Sequence, residues 1–248
     1  MSLSGSAIDL HAPIEALIFD MDGLLVDSEP LAEQAMVDFL RRYGHERRAE
    51  VMAKLLGRRL PEAIAIVSEA YELPGPIKAL VQEYDALRLD ALRGQIQPMP
   101  GAREILAFAK LAELKLALAT SGQRSHADVS LAETGLAGSF EAEVTGNDVE
   151  RGKPAPDLFL LAAARIGVEP ARCIVLEDAP PGIAAAAAAG MRSICVPNEK
   201  SKLIPFPVEP TVTVSDLLAA IPWLQSHGVV TRKQDERNEP ASLPVLER

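Results

Sequence analysis

The sequence predicts an α/β protein, a parallel sheet with helices on both faces and an all-helical segment inserted after the first strand. Three observations carry this. Short apolar runs recur along the chain with helical patterns between most of them, as in parallel strands joined by crossover helices. One long stretch, residues 29–97, has helical periodicity and no clear strand. With 248 residues, 48% of them hydrophobic, the chain can bury a sizeable core in one large domain or two smaller ones.

The first strand is the run Ala16-Leu17-Ile18-Phe19. Asp20 and Asp22 leave its end, and Gly23 allows a sharp backbone turn. Helical patterns then cover residues 31–43, 49–55, 61–71 and 76–93. Pro98-Met99-Pro100-Gly101 breaks the last of them and returns the chain to the sheet. A helix is expected over residues 102–114, then a strand at Leu116-Ala117-Leu118-Ala119 and a weaker one over residues 141–144. A helix over 156–166 precedes the strand Cys173-Ile174-Val175-Leu176. The small residues 183–189 form a helix that can pack close to the sheet, ended by Gly190 as a left-handed cap. Strands at residues 193–196 and, more weakly, 211–214 complete the series.

This order divides the chain into a core of residues 13–29 and 96–225, a helical cap of residues 30–95, and flexible termini, 1–12 and 226–248. The cap is expected over the carboxyl ends of the strands, where ligands bind in open α/β sheets. Its two crossings, near residues 27–30 and 95–98, are candidate hinges.

A net charge of −10 argues against a nucleic-acid surface. It leaves room for an anionic substrate, because one bound cation and one lysine reverse the local potential. Cys173 and Cys195 each lie in an apolar run and read as small buried residues, with no Cys/His cluster to hold zinc. That usage fits a reducing, cytoplasmic compartment. No apolar run reaches the length of a membrane span, and no basic region followed by an apolar core opens the chain. A monomer without a membrane or nucleic-acid partner is expected.

Four segments carry chemistry. Asp20 and Asp22, two apart on extended chain, point the same way; one can attack while the other handles a proton, and both can lie near a hard cation. Thr120-Ser121-Gly122 ends a strand with a hydroxyl and backbone amides able to hold phosphate oxygens. Lys153 sits between Gly152 and Pro154, so it leaves the backbone in a restricted direction. Glu177 and Asp178 are adjacent acids that repel unless a cation or hydrogen bonds compensate.

In that order the four segments resemble the four motifs of the haloacid dehalogenase superfamily, and the resemblance covers residues 16–222. It implies a Rossmann-like core and Mg2+-dependent phosphoryl transfer. Asp20 would be the nucleophile that becomes an aspartyl-phosphate, and Asp22 the general acid and base. Thr120 and the Ser121 amide would bind phosphate, and Lys153 would neutralise the nucleophile and the phosphoryl group. Magnesium would be held by Asp20, the Asp22 carbonyl and Asp178, with Glu177 direct or through water. Asp22 would then need its proton at neutral pH, against an ordinary value of about 3.9; water exclusion by the closing cap is expected to raise it.

The presence of Asp22 disfavours the dehalogenase branch, which lacks it. The cap position resembles the β-phosphoglucomutase-like subfamily. That mutase has a histidine twelve residues beyond its nucleophile, where this chain has Ala32, and a cap lysine where this chain has Leu56, before Gly57. Both departures favour hydrolysis over phosphoryl exchange. The segments 20–25, 117–121 and 177–180 are most similar in wording to the pseudouridine-5′-phosphatase-like branch. The implied substrate is a small phosphorylated metabolite, a sugar phosphate or a nucleoside monophosphate. Arg58 and Arg59 on the cap, and Gln123 and Arg124 beyond the second motif, are candidate substrate contacts. His45 and His126 are expected at the surface. Alternatives are a β-phosphoglucomutase-type phosphomutase and, in another class, a catalytically silent phosphometabolite-binding protein.

Overall fold

The structure, a computed structural model, describes residues 12–55 and 58–231. Leu56 and Gly57, on which one comparison with the mutase rests, lie outside the described residues, as does most of both expected flexible termini.

Six parallel strands form one sheet: β1 (Ala16–Phe19), β2 (Lys115–Ala119), β3 (Ala142–Val144), β4 (Cys173–Glu177), β5 (Arg192–Cys195) and β6 (Val212–Thr213). Their order across the sheet is β3-β2-β1-β4-β5-β6. β1 is central, with Phe19 paired to Leu118 on one side and to Leu176 on the other. The chain steps outward from β1 in both directions, so the point where it reverses lies beside β1. Because all strands are parallel, Asp20, Thr120 and the acids at the end of β4 emerge on one edge.

Both faces of the sheet are covered. Leu17 and Phe19 point into an apolar layer with α5 (Ala102–Leu111), α6 (Arg124–Thr134) and α9 (Leu217–Ser226). Ala16 and Ile18 point the other way, against α7 (Asp157–Ile166) and α8 (Pro180–Ala188). Each fully buried aliphatic side chain on these strands is worth about 1.5–3 kcal/mol against exposure. Prolines 180 and 181 open α8 itself, earlier than the small-residue run suggests, since proline suits the first helical turn. The expected C-terminal boundary at residue 226 is passed: Val229 is buried in the first apolar layer.

Between β1 and α5 lie four helices, α1 (Glu29–Arg42), α2 (Ala49–Met52), α3 (Leu60–Tyr71) and α4 (Ile77–Leu92). They share a separate apolar cluster that includes Phe39, Leu40, Ile64, Val67 and Tyr84. The two connections to the sheet are tied side by side: Asp27 N donates to Gln97 O at 2.9 Å and Met99 N to Leu25 O at 2.8 Å. No described helix is long and apolar enough to cross a membrane. Cys173 and Cys195 are free and buried, and burial pushes both thiols up to about 12.

Candidate active site

β1 delivers the two aspartates in a fixed frame. Asp20 N continues the ladder by donating to Leu176 O at 3.0 Å. The chain then turns through Gly23, at φ +78°, a left-handed conformation that favours glycine. A Cβ there would also stand 2.7 Å from Asn198 Nδ2 and 2.9 Å from Asp178 Oδ2.

One half of the site is crowded with acids. Asp20, Glu177 and Asp178 are buried, and each has an oxygen within 4.8 Å of the others'. Lys153 Nζ reaches in from the loop before α7 and donates to Asp20 Oδ1 at 2.5 Å and Glu177 Oε1 at 2.8 Å. The same Nζ lies over the Phe159 ring, 4.7 Å from its centroid. Ala179 N donates to Glu177 Oε2 at 2.7 Å, so both oxygens of Glu177 are engaged. Gly182 makes room for this side chain, since a Cβ there would fall 1.6 Å from Glu177 Oε1.

Burial pushes the Asp20 carboxyl up to about 7, with Glu177 and Asp22 adding to the rise and Lys153 opposing it. Asp178 is driven well above the carboxylate range by burial, then by Glu177 and Asp20. One lysine does not balance three acids here. Converging buried oxygens that resist ionisation suit a hard divalent cation such as magnesium, whose charge relieves that strain.

The other half is rich in donors. Asp22 Oδ1 accepts from Ser28 Oγ at 2.5 Å and His126 Nε2 at 2.6 Å. Thr120 Oγ1 lies 3.4 Å from Asp22 Oδ2 and itself accepts from Gly122 N at 2.9 Å. Burial alone would raise the Asp22 carboxyl. The His126 ring, through charge and hydrogen bond, outweighs it together with Ser28 and Arg88, and holds the group well below the usual range. The expected rise from water exclusion is thus opposed by these partners, whose net effect in this arrangement is to lower the group's proton affinity.

His126 is a correction. It is 1% exposed, not a surface residue. Helix α6 starts immediately beyond the β2 motif, so its first turn folds back over the end of β1. The close approach of a helix start to Thr120-Ser121-Gly122 was the available signal, but α6 has only a weak apolar periodicity to announce it. His45 is half-buried against the Tyr71 ring among the inserted helices.

A cavity opens over the acids, lined by Asp20, Asp22, Ser121, Lys153, Glu177 and Asp178. Arg58 lines it from the helical insertion, and Asn198 and Lys200 from the loop after β5. Asn198 Nδ2 donates to Asp178 Oδ2 at 2.8 Å. Arg58 and Arg59 also border an adjoining recess with Lys153, where Arg59 pairs with Glu62 at 3.0 Å. Arg124 is drawn elsewhere, to Glu143 Oε2 at 2.7 Å and the Glu143 carbonyl at 3.0 Å. Gln123 precedes α6 and is not among the residues lining this cavity. Ser28, Asn198 and Lys200 belong to the site's surroundings and were not read from the sequence; each lies outside the four motifs.

Residues 14–190 match the family profile of the haloacid dehalogenase-like hydrolases. The chain belongs to that family. Among related haloacid dehalogenase-like proteins, the phosphorylated carbohydrates phosphatase of Thermotoga maritima is 34% identical over 181 residues, 73% of this chain and 84% of that protein. A Drosophila melanogaster protein described as a probable pseudouridine-5′-phosphatase is 35% identical over 189 residues, 74% of this chain and 81% of its own length. The crystal structure of CbbY from Rhodobacter sphaeroides with phosphate has a TM-score of 0.76 at 27% identity, covering 82% of this chain and 95% of that one. Some relatives are longer: the chain spans 52% of the bifunctional riboflavin kinase/FMN phosphatase of Arabidopsis thaliana, to which it is 31% identical over 199 residues. This haloacid dehalogenase-like chain is therefore an enzyme of the hydrolase class.

Proposed function

We propose that this hydrolase is a magnesium-dependent phosphatase that cleaves a small phosphorylated metabolite, a sugar phosphate or a nucleoside monophosphate, through an aspartyl-phosphate on Asp20. The observation that carries the reading is the buried set of Lys153 between Asp20 and Glu177, with Asp178 beside them. The names of the carbohydrate and pseudouridine phosphatase relatives support the substrate class.

Uncatalysed phosphate-monoester hydrolysis is so slow that enzymes accelerate it by up to about 10²¹. A positioned acid or base supplies only about 10²–10⁴ of that, so the remainder comes from alignment and charge. Asp20 and Asp178, with the Asp22 carbonyl, would hold magnesium, which supplies positive charge against the transferring phosphoryl oxygens. Glu177 acts chiefly by orienting Lys153, since both its oxygens already accept hydrogen bonds. Lys153, the Thr120 hydroxyl and the Ser121 amide cradle the phosphoryl oxygens.

In the first step an Asp20 oxygen bonds to phosphorus, the bond to the leaving oxygen breaks, and Asp22 gives that oxygen its proton. In the second, water attacks phosphorus and returns a proton to Asp22 while the bond to Asp20 breaks. The lowered proton affinity of Asp22 in this arrangement suits this second step. The incoming phosphate dianion raises its proton affinity for the first. Ala32, where the mutase has a histidine, offers no proton-transfer group, which favours hydrolysis over phosphoryl exchange. Phosphate release across a panel of sugar phosphates and nucleoside monophosphates, with and without magnesium, tests the reading. Magnesium-dependent release is expected. Isomerisation of a sugar phosphate without release would overturn it in favour of a mutase.

A further inference from the structure

His126 is a buried titratable group in contact with the reacting centre that the four motifs leave unassigned. Its ring is 1% exposed and boxed in, with a Cβ on Gly122 falling 3.0 Å from His126 Cδ2. The next residue back, Ser125, bonds through Oγ to Asp85 Oδ2 on α4 at 3.3 Å, and Arg88 donates to Asp85 Oδ1 at 2.8 Å. The first turn of α6 is thereby tied to the helical insertion. Among the described residues the ring makes one hydrogen bond, from Nε2 to Asp22 Oδ1 at 2.6 Å, and the buried Nδ1 has no partner. A buried polar atom left unpaired costs stability, and a purely apolar side chain would avoid that cost. What the ring gains for it is control of one carboxylate.

That carboxylate has two oxygens with different surroundings. Oδ1 is clamped by Ser28 Oγ and His126 Nε2, whereas Oδ2 has only the long 3.4 Å approach of Thr120 Oγ1. The clamp fixes the plane of the group and decides which oxygen is free to meet substrate. We propose that His126 is a positioning residue, which holds Asp22 Oδ1 so that Oδ2 is presented to the leaving oxygen and then to the attacking water. This rests on the reading of Asp22 as the general acid and base. The ring donates from Nε2 and transfers no proton itself. A misplacement of about 1 Å at a reacting group can cost about 10²-fold in rate.

Leaving-group dependence tests it. An alkoxide needs the Asp22 proton as it departs, whereas p-nitrophenolate does not. Steady-state constants would be measured with magnesium for p-nitrophenyl phosphate and for the fastest sugar phosphate or nucleoside monophosphate. His126→Leu is expected to lower kcat/KM, which reports phosphoryl transfer to Asp20, by about 10- to 100-fold for the metabolite and much less for the aryl ester, while the later attack of water slows alike for both. His126→Gln, which keeps a donor, is expected to recover most of the loss. In magnesium-free protein labelled with ¹⁵N-histidine, Nε2 is expected to carry the proton, with its signal shifted by Asp22→Asn. Equal losses in kcat/KM on both esters, no recovery in His126→Gln, or a bare Nε2 would overturn the inference and leave the role of Asp22 standing. Asp22→Asn is the control for that role: if it too is indifferent to the leaving group, both readings fall together.

Discussion

Asp20 and Asp22 leave the same strand end two residues apart, and their surroundings drive them in opposite directions. Around Asp20 two further acids converge on one lysine, burial dominates, and the carboxyl is pushed up to about 7. Around Asp22 a hydroxyl, an imidazole and a more distant guanidinium outweigh burial and hold the carboxyl well below the usual range. The acid half calls for a cation to complete its charge balance. In the donor half, protein groups alone offset the carboxylate's charge. Two carboxylates made different by their environments are what a reaction needs when one must bond to phosphorus and the other must move protons.

Swapping either carboxylate for an amide breaks the comparison most severely. Asp20→Asn removes the nucleophile, and no phosphate release above background is expected, with no phosphorylated protein trapped by acid quench. Asp22→Asn should leave that phosphorylated form detectable and lower turnover by about 10²–10⁴.

Thermal melts with added magnesium probe the two halves separately. At a hundredfold excess over Kd the native protein should gain about 2.7 kcal/mol. Asp178→Asn should lose most of that gain, and Asp22→Asn, which keeps its backbone carbonyl, should retain it. An equal loss in both variants would mean that the halves are not electrically distinct.

Gly182→Ala acts on the acid half by sterics. Its methyl would fall 1.6 Å from Glu177 Oε1, so Glu177 must move and release Lys153. Overpacking of this kind costs about 1–3 kcal/mol, read as a lowered Tm with weakened magnesium stabilisation. The smallest effect is expected at the two thiols, which the chemistry does not use. Cys173 and Cys195, buried and with thiols pushed up to about 12, should resist iodoacetamide at neutral pH until the chain is unfolded.

Much of this was legible in the chain. The run Ala16-Leu17-Ile18-Phe19 is buried on every residue, and a strand covered on both faces shows as an unbroken apolar run. The acids at the ends of β1 and β4 were legible because polar residues placed directly after such a run must emerge at its carboxyl end. Lys153 was legible from its glycine and proline neighbours. Arg124 was misread because its proximity to the motif along the chain says nothing of the side chain's direction, which Glu143 decides. The lowered proton affinity of Asp22 was not legible for a related reason, as no residue adjacent to it in sequence supplies the field that acts on it.

The sequence by itself determined the parallel sheet, the helical insertion and the four segments that bear the chemistry, since each is written in periodicity or in neighbouring residues. Only the tertiary structure decided that His126, 104 residues along the chain from Asp22, stands 2.6 Å from it, and that Asp20 meets Lys153 across 133 residues. Coulombic energy and hydrogen bonding depend on distance through space and on burial. Neither quantity exists until the strands are ordered side by side and the helices close over their ends.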